Sequence, residues 1–178
     1  MLDAVKVSSE RISELVKAMK NYSYMDQAPL QEEVDIHEGI ENTLTILKNK
    51  LKYGVEVKRE YGDLPHICAY GSQLNQVWTN LIDNAIDGMK GKRHLWIRKS
   101  QESVRILVEI ADDGAGIPSE IQPRIFEQFF TTKEVGKGTG LGLDISRRIV
   151  VGQHKGEIRF DSQPGDTSFQ VRLPINLQ

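Results

Sequence analysis

The sequence predicts an α/β protein: a two-layer α/β sandwich, with helices covering one face of a mixed sheet, preceded by a long N-terminal helix. Three observations predict it. Short stretches with period-two alternation recur at 55–61, 94–99, 103–111 and around Ile158 and Phe169. Stretches with apolar residues at helical spacing lie between them, at 36–51, 72–89 and 141–151. Residues 3–25 carry a narrow apolar seam of their own.

In that first segment Val5, Ser8, Ile12, Leu15, Met19 and Tyr22 alternate spacings of three and four, while Glu10, Arg11, Glu14, Lys17 and Lys20 fill the other faces. About three heptads are marginal in water without packing. The seam docks either on its own domain or on a partner helix, and its narrowness favours a second copy, a homodimer through residues 3–25. Gln27-Ala28-Pro29 ends the pattern, dividing the chain into 1–29 and 30–178. Ile36, Ile40, Leu44, Leu47 and Leu51 then predict one helix, which Gly54 stops before the strand at 55–61. Ser72 is expected to cap the next helix, whose apolar face is Leu74, Val77, Trp78, Leu81, Ile82, Ala85 and Ile86. Val104, Ile106, Val108 and Ile110 share a strand face. The helix from Leu141 is expected to stop at Gly152, before strands marked by Ile158 and Phe160 and by Phe169, Val171 and Leu173. Short-linked strands of this kind suit a largely antiparallel or mixed sheet with one face to solvent.

Composition narrows the function. The 178 residues hold 23 Lys and Arg against 25 Asp and Glu, a net charge of −2 that argues against an electrostatic nucleic-acid binder. Cys68 is the single cysteine, so neither an internal disulfide nor a cysteine-rich metal site is expected. Apolar runs such as Ile149-Val150-Val151 fall far short of the ~20 residues a membrane span needs. Polar residues from Lys6 onward do not fit a secretory signal, so a cytoplasmic chain without a membrane segment is expected.

Three motifs depart from what packing alone selects. Asn80 and Asn84 share a helix face with Asp87 a turn further on, and Gln73, Gln76 and Asp83 widen the stripe. This is either a solvated face or a place where an amide oxygen coordinates a hard cation such as Mg²⁺. Asp112-Asp113-Gly114-Ala115-Gly116-Ile117 follows a strand, a plain turn or a loop where a ligand nears the backbone. Gly136-Lys137-Gly138-Thr139-Gly140-Leu141-Gly142-Leu143 opens the last long helix, where it serves as a hinge or offers backbone amides to an anion. It lacks the spacing of a Walker loop.

In this order, the motifs resemble the Bergerat-fold ATP-binding domain, specifically the catalytic domain of sensor histidine kinases. Asn80 to Ala85 is similar to the N-box and Asp112 to Ile117 to the first glycine box. Phe126 to Lys133 is similar to the phenylalanine box and Gly138 to Leu143 to the second glycine box. Asp166-Thr167-Ser168-Phe169 is similar to the closing Gly-Thr-x-Phe, with Asp166 in place of glycine. The resemblance covers about residues 30–175, and the helix at 3–25 is similar to the second helix of the family's dimerisation hairpin.

The resemblance implies an ATP-binding catalytic core of a two-component histidine kinase. Asp112 would accept a hydrogen bond from the adenine amino group, supported by Thr167 through water, Gly114 and Gly116 let the base lie against the backbone, and Ile117 belongs to the same nucleotide site. Asn84 would place Mg²⁺ with Asn80 alongside, and Lys133 would offset phosphate charge. Phe130, Thr131 and Thr132 belong to the same site, Gly138, Thr139, Gly140, Leu141 and Gly142 would cradle phosphate, and 126–140 would form the ATP lid. The implied partners are a histidine-bearing helix, in cis or in trans, and a response-regulator receiver domain.

Departures from the family pattern are Ala115 and Gln128, where many members have proline, and Gly88, expected mid-helix where many have alanine. The acceptor box, His-Glu/Asp followed by Pro-Leu, has no match: His37-Glu38 shares the dipeptide, but Asn42-Thr43 stands where proline belongs. The γ-phosphate would therefore go to a histidine outside this sequence. A nucleotide-dependent dimer or scaffold, and an ATP-hydrolysing relative, are the alternatives; the latter would need a glutamate where Asn80 stands.

Overall fold

A computed structural model describes residues 30–90, 92–133 and 138–176, together with positions 5, 6, 9, 12, 13, 15, 16 and 19. Those eight N-terminal positions are helical, and Val5, Ile12, Val16 and Met19 are exposed. Ser8 and Tyr22 of the expected seam, the break at 27–29, and Gly136 and Lys137 lie outside the described residues.

Strands β1 (Glu32–Val34), β2 (Val55–Tyr61), β3 (Ile67–Ala69), β4 (Arg93–Glu102), β5 (Arg105–Asp112), β6 (Glu157–Gln163) and β7 (Asp166–Pro174) form two sheets. Five of them build the main sheet in the order β2-β4-β5-β7-β6, with β2 and β4 parallel and every other pair antiparallel. β1 and β3 pair separately, three residues each, too short to carry a period-two signal. Helices α1 (Ile36–Ile46), α2 (Lys48–Leu51), α3 (Gly71–Asp87) and α4 (Gly142–Arg147) complete the fold.

The sandwich follows from the alternation. Leu95 and Ile97 of β4, Ile106, Val108 and Ile110 of β5, and Val171 and Leu173 of β7 are buried, in one core with Trp78, Leu81 and Ile82 of α3. Trp78 is fully buried, and truncating such a residue to alanine costs about 3–5 kcal/mol. The opposite parity carries charge: Arg98 pairs with Glu60 at 2.6 Å and with Glu109.

Four local expectations are corrected. The helix over 36–51 breaks at Leu47 into α1 and the single turn α2. Thr43 and Thr45 bond back onto the carbonyls of Gly39 and Glu41 at 2.9 and 3.0 Å, an arrangement that bends helices just before that break. α3 starts at Gly71 with Tyr70 at its N-cap, and Ser72 does not cap it. Val104 lies in the β4–β5 turn, exposed, outside the strand face. α4 continues as a π-helical turn, Arg148–Gln153, that takes in Gly152; His154 stops it, its backbone N–H and Nδ1 both reaching the Ile149 carbonyl at 3.1 and 2.8 Å. His154 Nε2 also accepts from the Tyr70 N–H at 3.0 Å, so one neutral imidazole ties the start of α3 to the end of α4. Burial holds its pKa below the usual histidine value.

Candidate functional site

The parity that buries Ile106, Val108 and Ile110 also turns Asp112, two residues on, toward the helix layer. Asp112 is 7% exposed, pairs with Leu95 on β4 and Thr167 on β7, and Thr167 pairs in turn with Ser162 on β6. One cross-strand row therefore holds a carboxylate and two hydroxyls at the end of the sheet. Burial pushes the Asp112 carboxyl above the usual aspartate value, although its Oδ1 accepts the Gly114 N–H at 2.9 Å, which favours the ionised form. Thr167 and Ser162 share a hydrogen bond of 2.7 Å, and Ser162 Oγ accepts the Ile117 N–H at 2.7 Å. Gln122 Nε2 donates to the Ile117 carbonyl at 2.9 Å. Asp113 faces the other way, accepting from the His94 backbone N–H at 2.9 Å and meeting its Nδ1 at 2.8 Å. Burial opposes ionisation of Asp113, yet the His94 bonds outweigh it and hold that carboxyl below the usual value.

The loop after Asp112 is clasped from two sides. Ala115 N–H donates to the Gly88 carbonyl at 3.3 Å, and Gly165 N–H to the Gly114 carbonyl at 2.8 Å. A Cβ on Gly114 would stand 2.4 Å from the Gly88 oxygen, so this contact needs a bare backbone. Gly88 is not mid-helix as expected; it is the C-cap of α3, where a Cβ would meet nothing nearer than 3.5 Å.

The polar stripe on α3 divides. Asp83 turns to Lys50 at 2.5 Å, and Gln73 is buried. Asn80 Nδ2 donates to the Gly142 carbonyl at 3.0 Å and to Ser146 Oγ at 3.3 Å, fixing the start of α4. Asn84 Oδ1 accepts from Lys133 Nζ at 3.3 Å, and the same ammonium meets Asp87 Oδ2 at 2.6 Å.

The segment leading to Lys133 is anchored by aromatics. Phe126 packs against Phe160 with centroids 6.0 Å apart, and the Arg124 guanidinium lies 4.4 Å from the centroid of half-buried Phe130. Exposed Phe129 takes φ +67° and donates its N–H to the Gly140 carbonyl at 2.7 Å, against Gly140 at φ +70°. A Cβ on Gly140 would fall 2.3 Å from the Phe129 carbonyl carbon. Thr131 Oγ1 accepts the Lys133 N–H at 3.1 Å, Thr132 is exposed, and a Cβ on Gly138 would stand 2.7 Å from the Lys133 side chain. Thr139 Oγ1 accepts the Leu141 N–H at 3.3 Å, while the Leu141 side chain is buried in the core.

The structure thus groups Asp112, Gly114, Gly116, Ile117 and Thr167 at the sheet end. It groups Asn84 and Lys133 beside Asp87 on α3, with Asn80 binding Gly142. Ser162, Gln122, His94 and the role of Asp87 were missed. Nothing local marks them; only the strand register and the packing of the segment after Phe126 bring them in. Among the described residues no group of three or more His, Cys, Asp or Glu side chains gathers as a metal site. A cation here fits only a sparse donor set, an amide oxygen plus ligand oxygens and water, and Asn84 Oδ1 already faces one cationic group, the Lys133 ammonium.

Residues 69–177 match the model of the family described as "Histidine kinase-, DNA gyrase B-, and HSP90-like ATPase". The sensory histidine kinase/phosphatase NtrB of Azospirillum brasilense is 34% identical over 184 residues, covering 94% of this chain and 45% of the relative. The signal transduction histidine-protein kinase AtoS of Escherichia coli K12 is 32% identical, covering 99% of this chain and 29% of the relative. The chain therefore spans less than half the length of either. The catalytic domain of histidine kinase ThkA superposes with a TM-score of 0.76 at 28% identity, covering 83% of this chain and 97% of that one. Sequence match and fold agree: the chain belongs to the histidine kinase-, DNA gyrase B- and HSP90-like ATPase family.

Proposed function

We propose that this chain is the Mg-ATP-binding catalytic core of a two-component sensor histidine kinase, and that it presents the γ-phosphate to a histidine supplied from outside these 178 residues. The observation that carries the reading is the buried carboxylate of Asp112, set in a row with Thr167 and beside a glycine contact that a side chain would block. A desolvated carboxylate discriminates strongly between a ligand that donates to it and one that does not. The adenine amino group is that donor; Gly114, Gly116 and Ile117 lie along the base, and Thr167 reaches it through water. Asn84 holds Mg²⁺ with Asn80 alongside, and when bound the metal offsets the charge on the phosphates and orients them. Lys133 adds a point charge, Phe130, Thr131 and Thr132 line the approach, and the backbone from Gly138 through Thr139, Gly140, Leu141 and Gly142 faces the phosphates. Residues 126–140 act as the lid over them. In this chemistry the chain positions groups and supplies charge; the attacking nitrogen comes from the acceptor helix.

His37 does not fit the acceptor role. It sits in the first turn of α1 against Tyr61, centroids 5.3 Å apart, with its Nδ1 buried. We further propose a homodimer through residues 3–25, with residues 30–178 as the nucleotide domain, a cytoplasmic setting, and a receiver domain as the onward partner. The test is incubation with radiolabelled ATP, alone and with an acceptor hairpin supplied in trans. Acid-labile label is expected on the hairpin only. Label on His37 would make the chain self-contained, and no transfer to a matched hairpin would favour the nucleotide-dependent scaffold.

A further inference from the structure

Asp87 is out of place on local grounds. It is the last residue of a 17-residue helix, where the macrodipole disfavours a carboxylate, and no basic residue of α3 shares that last turn. Its partner comes from elsewhere: Lys133 Nζ, at 2.6 Å from Asp87 Oδ2 and 3.3 Å from Asn84 Oδ1. Both side chains are about one-third exposed (35% for Asp87, 29% for Lys133), enough for the ammonium to leave without disturbing the core. The ammonium is therefore seated on the amide oxygen that the proposed function gives to the divalent cation.

We propose that Asp87 is a positioning residue that sets the cation requirement of nucleotide binding, by holding Lys133 on Asn84 until a divalent cation displaces it toward the phosphates. The inference rests on the reading of Asn84 as the metal ligand. A small divalent cation binds an oxygen at about 2.0–2.1 Å, and a dication and an ammonium sharing one amide oxygen repel each other. Occupancy of Asn84 Oδ1 is therefore exclusive. Asp87 biases the exchange toward Lys133, because its carboxylate is the stronger of the two acceptors that hold the ammonium. Once displaced, Lys133 carries its charge to the phosphates, so a single exchange seats the metal and delivers the lysine.

The experiment is calorimetric titration with a non-hydrolysable ATP analogue over a series of Mg²⁺ concentrations, for the full chain, Asp87→Asn, Lys133→Met and Asn84→Ala. Asp87→Asn removes the charge while keeping the shape, and relief of the dipole conflict offsets the lost ion pair, so its melting temperature should change little. Its half-maximal Mg²⁺ concentration should drop about two- to fivefold, matching ~0.4–1 kcal/mol for a partly exposed ion pair. Lys133→Met removes the competing ammonium and the proposed phosphate contact together, so analogue affinity at saturating Mg²⁺ should fall, and adding Asp87→Asn to it should lower the Mg²⁺ midpoint no further. An unchanged or raised Mg²⁺ midpoint in Asp87→Asn would overturn the proposal, a rise meaning that Asp87 serves the metal directly. Failure of the underlying reading looks different: analogue binding by the unsubstituted chain that is indifferent to Mg²⁺ and unaffected by Asn84→Ala. A second readout needs no nucleotide. The Lys133 ammonium should give a slowly exchanging NMR signal in the unsubstituted chain and lose it in Asp87→Asn, and a signal unchanged by the substitution would also overturn the proposal.

Discussion

At the scale of single residues, the site depends on one carboxylate kept in a place that disfavours its charge. Asp112 Oδ1 is used by the Gly114 N–H, so the other oxygen is the one an adenine amino group would use. Asp112→Asn keeps the size but removes the charge and presents an amide that can donate as well as accept. Loss of a charge-assisted hydrogen bond of about 1.5–3 kcal/mol predicts nucleotide affinity roughly 10- to 100-fold weaker by calorimetry, with little change in melting temperature. Unchanged affinity would remove Asp112 from the adenine contact. Gly114→Ala tests the clasp: its Cβ would stand 2.4 Å from the Gly88 carbonyl oxygen, and neither backbone can yield without moving the end of α3 or the loop. Both stability and affinity should fall, whereas Gly88→Ala, with its nearest neighbours at 3.5 Å, should leave affinity intact. Asp112, Gly114 and Gly116 stood out in the sequence as a carboxylate at a strand end followed by glycines, a pattern that a plain turn also explains; their order with the other motifs, through the family resemblance, is what marked them as candidate site residues. Ser162 did not stand out, because its meaning lies in the register that pairs it with Thr167.

At the scale of elements, β4 shows where alternation and charge collide. Leu95, Ile97 and Lys99 share the buried face, and Lys99 is 2% exposed, its ammonium 3.3 Å from the Tyr61 ring centroid. Tyr61 and Arg59 both bond Glu41 at 2.7 Å, linking β2 to α1 around that ammonium. Burial lowers the Lys99 pKa from 10.5 to about 8, against the pull of Glu41 and Asp35. Below about pH 8 the lysine is protonated in both states and its cost is fully present. Between pH 8 and 10.5 the unfolded chain binds more protons, so this residue makes stability rise with pH. Lys99→Met should therefore gain roughly 1–3 kcal/mol at pH 7 in urea unfolding, with the gain shrinking by pH 9.5. Parallel stability–pH curves for the two proteins would mean that the ring and Glu41 fully offset the buried charge. Alternation over 94–99 marked β4 in the sequence but carried no sign that Lys99 faces inward. Likewise, the break at Leu47 and the π-helical turn through Gly152 depend on threonine back-bonding and on His154, which side-chain periodicity does not encode.

At the scale of the molecule, the outer face of the sheet carries charge, whereas the described N-terminal positions expose apolar side chains. The outer face of the sheet is covered by ion pairs around Arg98, and Arg172 meets Glu102 at 3.0 Å. Isolated exposed apolar residues are ordinary. Val5, Ile12, Val16 and Met19 are different: they are 65%, 62%, 48% and 50% exposed on described helical positions, spaced seven, four and three apart. That spacing places them along one side of a helix, the pattern of a seam that a second helix covers. Each such side chain contributes about 1.5–3 kcal/mol when fully buried, and a two-fold pairing uses every contact twice. The full chain should therefore sediment as a dimer at micromolar concentration, and Ile12→Glu with Met19→Glu should make it a monomer. Nucleotide affinity should not change, because the proposed contacts all come from residues 80–167. Transfer to an acceptor hairpin in trans by the monomer would show that phosphate donation does not need the dimer. If the unsubstituted chain is already monomeric, the seam belongs to a segment outside these 178 residues or to another partner, and the dimer through residues 3–25 is wrong.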